Sequence, residues 1–492
     1  MSTPSHPVNK ASLVSAHGQV ESKVTNDAPT SLTFMEGTPT GKKNVVFLVL
    51  DSLRKDRLSV YNEAVDFTPH IQGLADSAVV FENAVTQAPW TLPSHASMFT
   101  GEYPWNHGTT HAKSYFEGGE TFVSNFKTAG YSTGAVTPNV WITPHKGMTE
   151  DFDHVENFLG KADNRVSVRL SKLGTKLFNT LGDGTRRVLG RQLDRIFRLF
   201  GVDDSTKSEE TVEAVEEYLG QRRADEDFFL FVNLMEPHEP YHPPKSYKDR
   251  HGVTDESAIP HRQKDMFTKD DIDFDELRKV YDASVDYTDD LVGRIVDALE
   301  ANGLDDDTVV VLLSDHGQAL GEDGEQFGHQ FTVSEPVVNS VLLVDHPDMG
   351  PESEERPVEL RKLAELVPYY AGIASRPEGI FSDTVKGGIE YPENFTGYIP
   401  RDRWDEYYRK YRYAKRDGTK VVKSVDEDGT ARYEAYDLAA DTEIPVPDDL
   451  KAAVDEATSS GTSPGGDRDA DAAPDQEMDE EVKRRLEELG YR

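Results

Sequence analysis

Two short runs of unbroken apolar residues stand out along a chain that is otherwise mostly polar. Asn44-Val45-Val46-Phe47-Leu48-Val49-Leu50 and Thr308-Val309-Val310-Val311-Leu312-Leu313 carry the continuous hydrophobicity of strands covered on both faces. Phe228–Leu234, Thr133–Val136, Asn339–Val344 and the shorter Ala78–Phe81 read as further strands. Helical patterns lie between them. Thr68-Pro69 opens one, Glu120–Ala129 runs up to Gly130, and Glu209–Arg222 is amphipathic. Asp273–Asn302 shows apolar residues at Leu277, Val280, Tyr281, Val285, Leu291, Ile295 and Leu299 before Gly303 ends it. Strands alternating with helices predict an α/β fold with a mostly parallel sheet.

The two strongest strands end in chemistry. The first runs into Asp51-Ser52 and the second into Ser314-Asp315-His316-Gly317. Ligands of open α/β sheets sit beyond the carboxyl ends of the strands, so both acidic ends are expected at one crevice. Asp51, Asp315 and His316 are oxygen and imidazole donors suited to a divalent cation, although each alone is equally a strand-end cap. A third stretch, Ala88-Pro89-Trp90-Thr91-Leu92-Pro93-Ser94-His95, reads as a helix start that continues to Thr100 and stops at Gly101. A Thr91 hydroxyl there is either an N-cap or a polar group at the positive end of a helix, where anions are favoured.

Taken together these segments resemble the sulfatase family of the alkaline phosphatase superfamily. Thr91-Leu92-Pro93-Ser94-His95 stands at the family's Cys (or Ser)-x-Pro-Ser-Arg. Glu236-Pro237-His238-Glu239-Pro240-Tyr241 looks like its His-x-Pro-Tyr segment, and Asp315-His316-Gly317 with Gly328-His329 like its second metal motif. The resemblance implies an alkaline-phosphatase-like fold, a mixed mostly parallel sheet between helices, with a small C-terminal antiparallel subdomain. It implies one divalent ion on Asp51, Thr91, Asp315 and His316; manganese or zinc is favoured by the imidazole, and calcium or magnesium remains compatible. His238 becomes a leaving-group contact able to supply a proton, His95 a group that orients Thr91, and Asn139 a donor to the transferred group. His329 stands where the family has a sulfate-contacting Lys, and is read either as a substrate contact or as a surface residue on a flexible glycine-punctuated loop.

The nucleophile position departs from the family. The chain has no Cys, and oxidising a secondary alcohol gives a ketone, so the aldehyde of formylglycine cannot form at Thr91. Superfamily members with Thr there transfer phosphoryl groups through a phospho-threonine. The favoured reading is therefore a metal-dependent hydrolase or transferase acting on phosphate esters, diesters foremost. The alternatives are sulfate-ester hydrolysis without formylglycine and a non-catalytic binding relative.

Composition narrows the partners. Net charge is −37, with 90 acidic against 53 basic residues, which argues against nucleic acid and matches the surfaces of proteins from high-salt cytoplasm. The expected partner is an anionic ester substrate; oligomeric state is not legible. No apolar run reaches 18 residues and no signal core is seen, so the expected location is cytoplasmic. Residues 161–200 reverse the charge, with ten basic residues facing three acidic ones at helical spacing. They read either as a lid or as a basic amphipathic insert that meets anionic lipid. The expected boundaries are a disordered lead over 1–40, the catalytic domain over 41–350, and a C-terminal subdomain over 351–450. A flexible acidic linker is expected over 451–477 and a terminal helix over 478–492.

Overall fold

A computed structural model describes residues 41–158, 207–223, 226–269 and 271–459. The lead expected over 1–40, the basic insert expected over 161–200 and the helix expected over 478–492 lie outside the described residues. The centre is an eight-stranded sheet. Its strands are β1 (Asn44–Leu50), β2 (Val79–Phe81), β3 (Ser132–Thr137), β4 (His154–Asn157), β5 (Phe228–Leu234), β6 (Thr308–Leu313), β7 (Leu342–Asp345) and β8 (Glu352–Glu354). Side by side they run β8-β2-β7-β6-β1-β5-β3-β4. Only β7 runs against its neighbours, β6 and β2; the other pairs are parallel. This is the alkaline-phosphatase-like α/β sheet.

Both faces of β1 are covered, which is why its sequence shows no alternation. Val45, Phe47 and Val49 enter one core and Val46, Leu48 and Leu50 the other. Among the described residues, the helices of seven residues or more are α1 (Pro69–Ala75), α2 (Thr91–Thr100), α3 (Phe122–Thr128), α4 (Ser208–Gly220), α5 (Phe274–Ala301), α6 (Leu363–Tyr370) and α7 (Asp448–Ser459). Residues of α2, α3 and α6 pack on the Phe47 side, and those of α1, α4 and α5 on the other. Aromatic rings fix α2 against the sheet. Phe99 lies 6.4 Å from Phe47 and 5.6 Å from Phe231, both edge-on. The long α5 starts on Asp273, whose carboxylate accepts from the Glu276 N–H at 2.9 Å.

Three boundaries differ from expectation. The run at Asn339 breaks in two, because Asn339–Ser340 pairs with Ala84–Val85 while Leu342–Asp345 joins the main sheet. Glu352–Glu354 is an edge strand of that same sheet, so the sheet extends past residue 350. The first part of the expected linker is helical through Ser459, because Leu450 and Val454 find an apolar surface at Ala414, Val421 and Ala435.

That surface belongs to a five-stranded antiparallel sheet of β9 (Val385–Ile389), β10 (Lys410–Arg416), β11 (Thr419–Val425), β12 (Ala431–Asp437) and β13 (Thr442–Glu443). It is tied through polar contacts to the segment at Thr86–Gln87 and to Glu335, which opens the short helical turn Glu335–Val338. Tyr413 on β10 donates its hydroxyl to the Thr86 carbonyl, and the Gly388 N–H donates to the Gln87 carbonyl at 2.9 Å. Glu335 meets Lys415 at 2.8 Å and Lys420 at 2.7 Å. Burial alone would raise the Glu335 carboxyl, but the two lysines outweigh it and pull it from 4.5 to about 2. The stability it contributes is therefore present above pH 4.5 and lost as pH falls towards 2. Glu335→Gln is expected to lower unfolding free energy at pH 7 by about 3 kcal/mol, because two partly desolvated ammonium groups lose their counter-charge. Urea unfolding at pH 7 and at pH 3 checks this: the gap between variant and wild type should shrink on acidification.

Candidate active site

Strands β1 and β6 are parallel neighbours with Val49 opposite Leu313, so Asp51 and Asp315 leave the sheet side by side. Ser52 then turns the chain with a φ of 61°, a left-handed conformation that costs about 1–3 kcal/mol in a residue with a Cβ. Surrounding bonds hold it there. The Ser52 N–H donates to Asp315 Oδ1 at 3.2 Å, its hydroxyl donates to Asp51 Oδ1 at 3.0 Å, and the Tyr281 hydroxyl donates to its carbonyl at 2.8 Å. Gly317 follows Asp315 and His316 where the backbone passes so close to Pro336 that a Cβ would stand 2.0 Å from its carbonyl oxygen.

Thr91 is the first residue of α2 and is buried; Trp90, in extended conformation, holds the N-cap position. Its hydroxyl donates to Asp51 Oδ2 at 3.3 Å, and the Asn139 amide donates to the same oxygen at 2.8 Å. The helix ends on Gly101 with a φ of 78°. Ser94, one turn on, donates to the Asp315 carbonyl at 2.8 Å and stands 3.0 Å from the Thr86 hydroxyl. The first turn of α2 is thereby bound to the end of β6 as well as to the end of β1.

Asp51, Asp315 and His316 form one buried cluster whose donor atoms lie within 4.8 Å of one another. His316 Nδ1 donates to the Gly317 carbonyl at 2.9 Å, which leaves Nε2 as the lone-pair nitrogen. That Nε2 lies 3.5 Å from Asp315 Oδ2 and 3.9 Å from Asp51 Oδ1. Asp315 Oδ2 and His316 Nε2 are both buried without a hydrogen-bond partner. Two such orphans side by side cost several kcal/mol unless something satisfies them. A divalent cation does, so these residues fit a metal ion. Burial and the neighbouring Asp51 carboxylate push the Asp315 carboxyl well above the usual range. Burial holds His316 down to about 4, against the pull of Asp51, and so keeps it neutral as a ligand must be.

The remaining expected residues are present but differently engaged. His95 donates from Nδ1 to the Thr91 carbonyl at 2.8 Å and stands 3.7 Å from Asp315 Oδ2, so it secures the helix turn and not the Thr91 hydroxyl. Burial lowers His95 to about 4. Asn139 is spent on Asp51. His238 is buried and donates from Nδ1 to the Glu239 carbonyl. Burial alone would lower His238, but the carboxylates of Glu239 and Asp51 raise it above its usual value. The expected flexible loop before His329 is instead a strand pair, Ala319–Leu320 with Phe327–Gly328, joined by a helical turn at Glu322–Glu325. His329 is wholly buried, so the surface reading is corrected: the hairpin folds it back against His316, ring centroids 4.4 Å apart. Burial pushes His329 well below its usual value.

Sequence reading missed Gln318 and Glu239 as participants. Gln318 accepts from His329 Nδ1 at 2.8 Å and donates to Glu239 Oε2 at 2.6 Å and to the Tyr241 hydroxyl at 2.9 Å. Neither residue sits in a periodic pattern. Ser94 was detectable, since it lies three residues after Thr91 and so on the same side of a helix.

The family model for Sulfatase matches residues 43–363, and the chain belongs to that family of ester-bond hydrolases. It is 25% identical over 388 residues to choline-sulfatase of Rhizobium meliloti (strain 1021), covering 72% of this chain and 73% of that one. It is 24% identical over 320 residues to the arylsulfatase of Clostridium perfringens (strain 13 / Type A), covering 57% of this chain and 64% of that one, so just under two thirds of that relative is spanned. Among solved structures, the phosphonate monoester hydrolase of Agrobacterium radiobacter shares the fold with a TM-score of 0.59 at 18% identity, covering 85% of this chain and 94% of that one. Among the described residues, no helix is long and apolar enough to cross a membrane.

Proposed function

We propose that this chain hydrolyses or transfers phosphate esters, diesters above all, with Thr91 as nucleophile. The observation that carries the reading is the bond from the Thr91 hydroxyl to Asp51, 3.3 Å long, inside the buried cluster of Asp51, Asp315 and His316. When bound there, a divalent ion of manganese or zinc type supplies Lewis acidity that favours the Thr91 alkoxide and the charge of the transferred group. Thr91 Oγ1 bonds to phosphorus as the ester P–O bond breaks; the Thr91 proton passes along the bond to Asp51 Oδ2, and the departing alkoxide takes a proton from His238 and leaves as the alcohol. Water, or an acceptor alcohol, then attacks phosphorus, the P–Oγ1 bond breaks and Thr91 regains a proton. The α2 N-terminus directs unpaired N–H groups at the anion, and Asn139, His95 and Ser94 hold the carboxylates and the helix turn in place.

The fold itself is shared by sulfatases and a phosphonate hydrolase, so the choice of ester rests on the nucleophile. Thr cannot become the aldehyde that sulfatases of the Cys or Ser type require. The sulfate-ester reading survives only with direct attack by Thr91. Side-by-side rates on an aryl phosphodiester and the matching aryl sulfate, with manganese or zinc, test the choice. A phosphodiester preference of about 10²-fold or more in kcat/KM, or about 3 kcal/mol, is the expected result; a preference for the sulfate overturns the phosphate assignment. The absence of turnover on both, with metal bound, favours the binding relative. The expected basic membrane contact through residues 161–200, the high-salt character and the cytoplasmic location stay with this proposal as readings of composition.

A further inference from the structure

The histidines of this fold divide into two kinds. His107 and His346 have both ring nitrogens engaged, the first by the Ser97 hydroxyl and the Thr109 N–H, the second by the Tyr370 carbonyl and the Asp348 N–H. Among the described residues, the buried imidazole nitrogens without a hydrogen-bond partner belong to His95 and His316, at the carboxylate cluster, and to His111. Of these three, only His111 leaves both nitrogens unpaired, at 2% exposure. A ring needed there for packing alone would serve better as Phe, because each orphaned nitrogen is desolvated without compensation.

His111 borders the reacting centre. Its ring stacks on Trp90, the residue before Thr91, with centroids 4.5 Å apart and planes 10° from parallel. Phe395 meets it edge-on at 6.2 Å, and Phe331 packs on Phe395 at 5.2 Å. Burial, then the neighbouring rings of His316, His238 and His111, lowers His329, so all three imidazoles lie within electrostatic reach of it. His329 in turn packs 4.4 Å from His316. A second unpaired group lies next in the chain. Gln330 donates to His329 Nε2 at 3.4 Å and leaves its buried amide oxygen without a partner among the described residues.

The chemistry of that wall selects its ligand. Burial pushes His111 from 6.5 to about 3, so the ring is neutral and offers one N–H and one lone pair. A neutral ring cannot balance an anion, which leaves the charged transferred group to the side of Thr91 and the metal ligands. A hydroxyl fits either nitrogen, accepting from one or donating to the other. A plain alkyl alcohol offers neither and would leave both nitrogens desolvated.

We infer that His111 is a specificity-determining residue that binds a further hydroxyl on the alcohol portion of the ester, so that the substrates are esters of polyhydroxy alcohols, of the glycerol or the sugar kind. Gln330 adds a second acceptor for such an alcohol. The inference rests on the phosphate-ester reading for the reaction and supplies the alcohol to it.

The test compares methyl phosphodiesters of propanol, of glycerol and of glucose through its primary hydroxyl, with cleavage by the metal-loaded protein followed by phosphorus NMR. Wild type is expected to favour the glyceryl or the glucosyl diester over the propyl one by at least about 10²-fold in kcat/KM. The ratio between the two polyols identifies which kind it takes. His111→Phe keeps a ring on Trp90 and removes the nitrogens. It should abolish the polyol preference, leave the propyl rate nearly unchanged, and raise the ligand-free thermal midpoint, since two desolvated nitrogens are gone. His111→Gln keeps a donor and an acceptor and should recover part of the preference. Equal rates on propyl and polyol diesters in wild type, or a preference unaltered in His111→Phe, overturns the inference. The propyl diester reports separately on the reaction. If every phosphate stays intact while sulfates react, the proposed function fails, and the same preference is then read on glyceryl and propyl sulfates.

Discussion

Thr91→Ala is expected to lower kcat on a phosphodiester by at least about 10³-fold, because the attacking oxygen is removed and water must replace it without being held. Stability should barely move. Thr91 contributes one hydrogen bond to Asp51, worth about 1 kcal/mol, and the α2 helix keeps its aromatic anchorage through Phe99. Thr91→Ser keeps an oxygen at the same position and should retain most of the rate. Steady-state kinetics on the three proteins, with mass-spectrometric search for a phosphorylated Thr91 peptide after acid quench, decide the matter. Unchanged turnover in the Ala variant would falsify covalent attack by this residue.

The second large effect concerns the buried carboxylate pair. Chelation is expected to lower the thermal midpoint, because Asp51 and Asp315 then face each other without a counter-charge. Adding zinc or manganese at 100 times its dissociation constant should restore about 2.7 kcal/mol per site. Asp315→Asn should behave in the opposite sense without metal. It relieves the repulsion and raises the metal-free midpoint above that of wild type, yet its midpoint climbs less when zinc is added, and its turnover falls by roughly 10³-fold. Scanning calorimetry with and without metal, paired with the phosphodiester assay, measures both halves. A variant that gains as much from zinc as wild type does would mean that Asp315 holds no ion.

The parts of this molecule that were legible are those governed by local pattern. Strands β1 and β6 announce themselves because both faces are covered, so every residue in them is apolar. Their acidic ends were expected at one crevice, and the parallel pairing of Val49 with Leu313 brings them there. The start of α2 was legible from Pro93, its end from Gly101. What escaped was set by tertiary contact. His329 looks loose from sequence, since glycines surround it, but the hairpin of Ala319–Leu320 and Phe327–Gly328 buries it completely. Asn139 looks free to meet substrate, yet Asp51 is its partner. Gln318 and Glu239 matter through one amide whose nitrogen reaches Glu239 and Tyr241, far back in the sequence, while its oxygen holds His329, and no periodicity encodes that. The early part of the linker is polar by composition and helical in fact, because α7 finds Ala414, Val421 and Ala435 to rest on.

The Tyr413 hydroxyl reaches the Thr86 carbonyl, and Thr86 in turn stands beside Ser94, which grips the end of β6. A residue more than three hundred positions downstream therefore helps to seat the turn that presents Thr91. During synthesis from the N-terminus, every candidate reacting group has left the ribosome well before the strand that braces them. The turn that presents Thr91 is thus fully braced only once β10 has joined the fold.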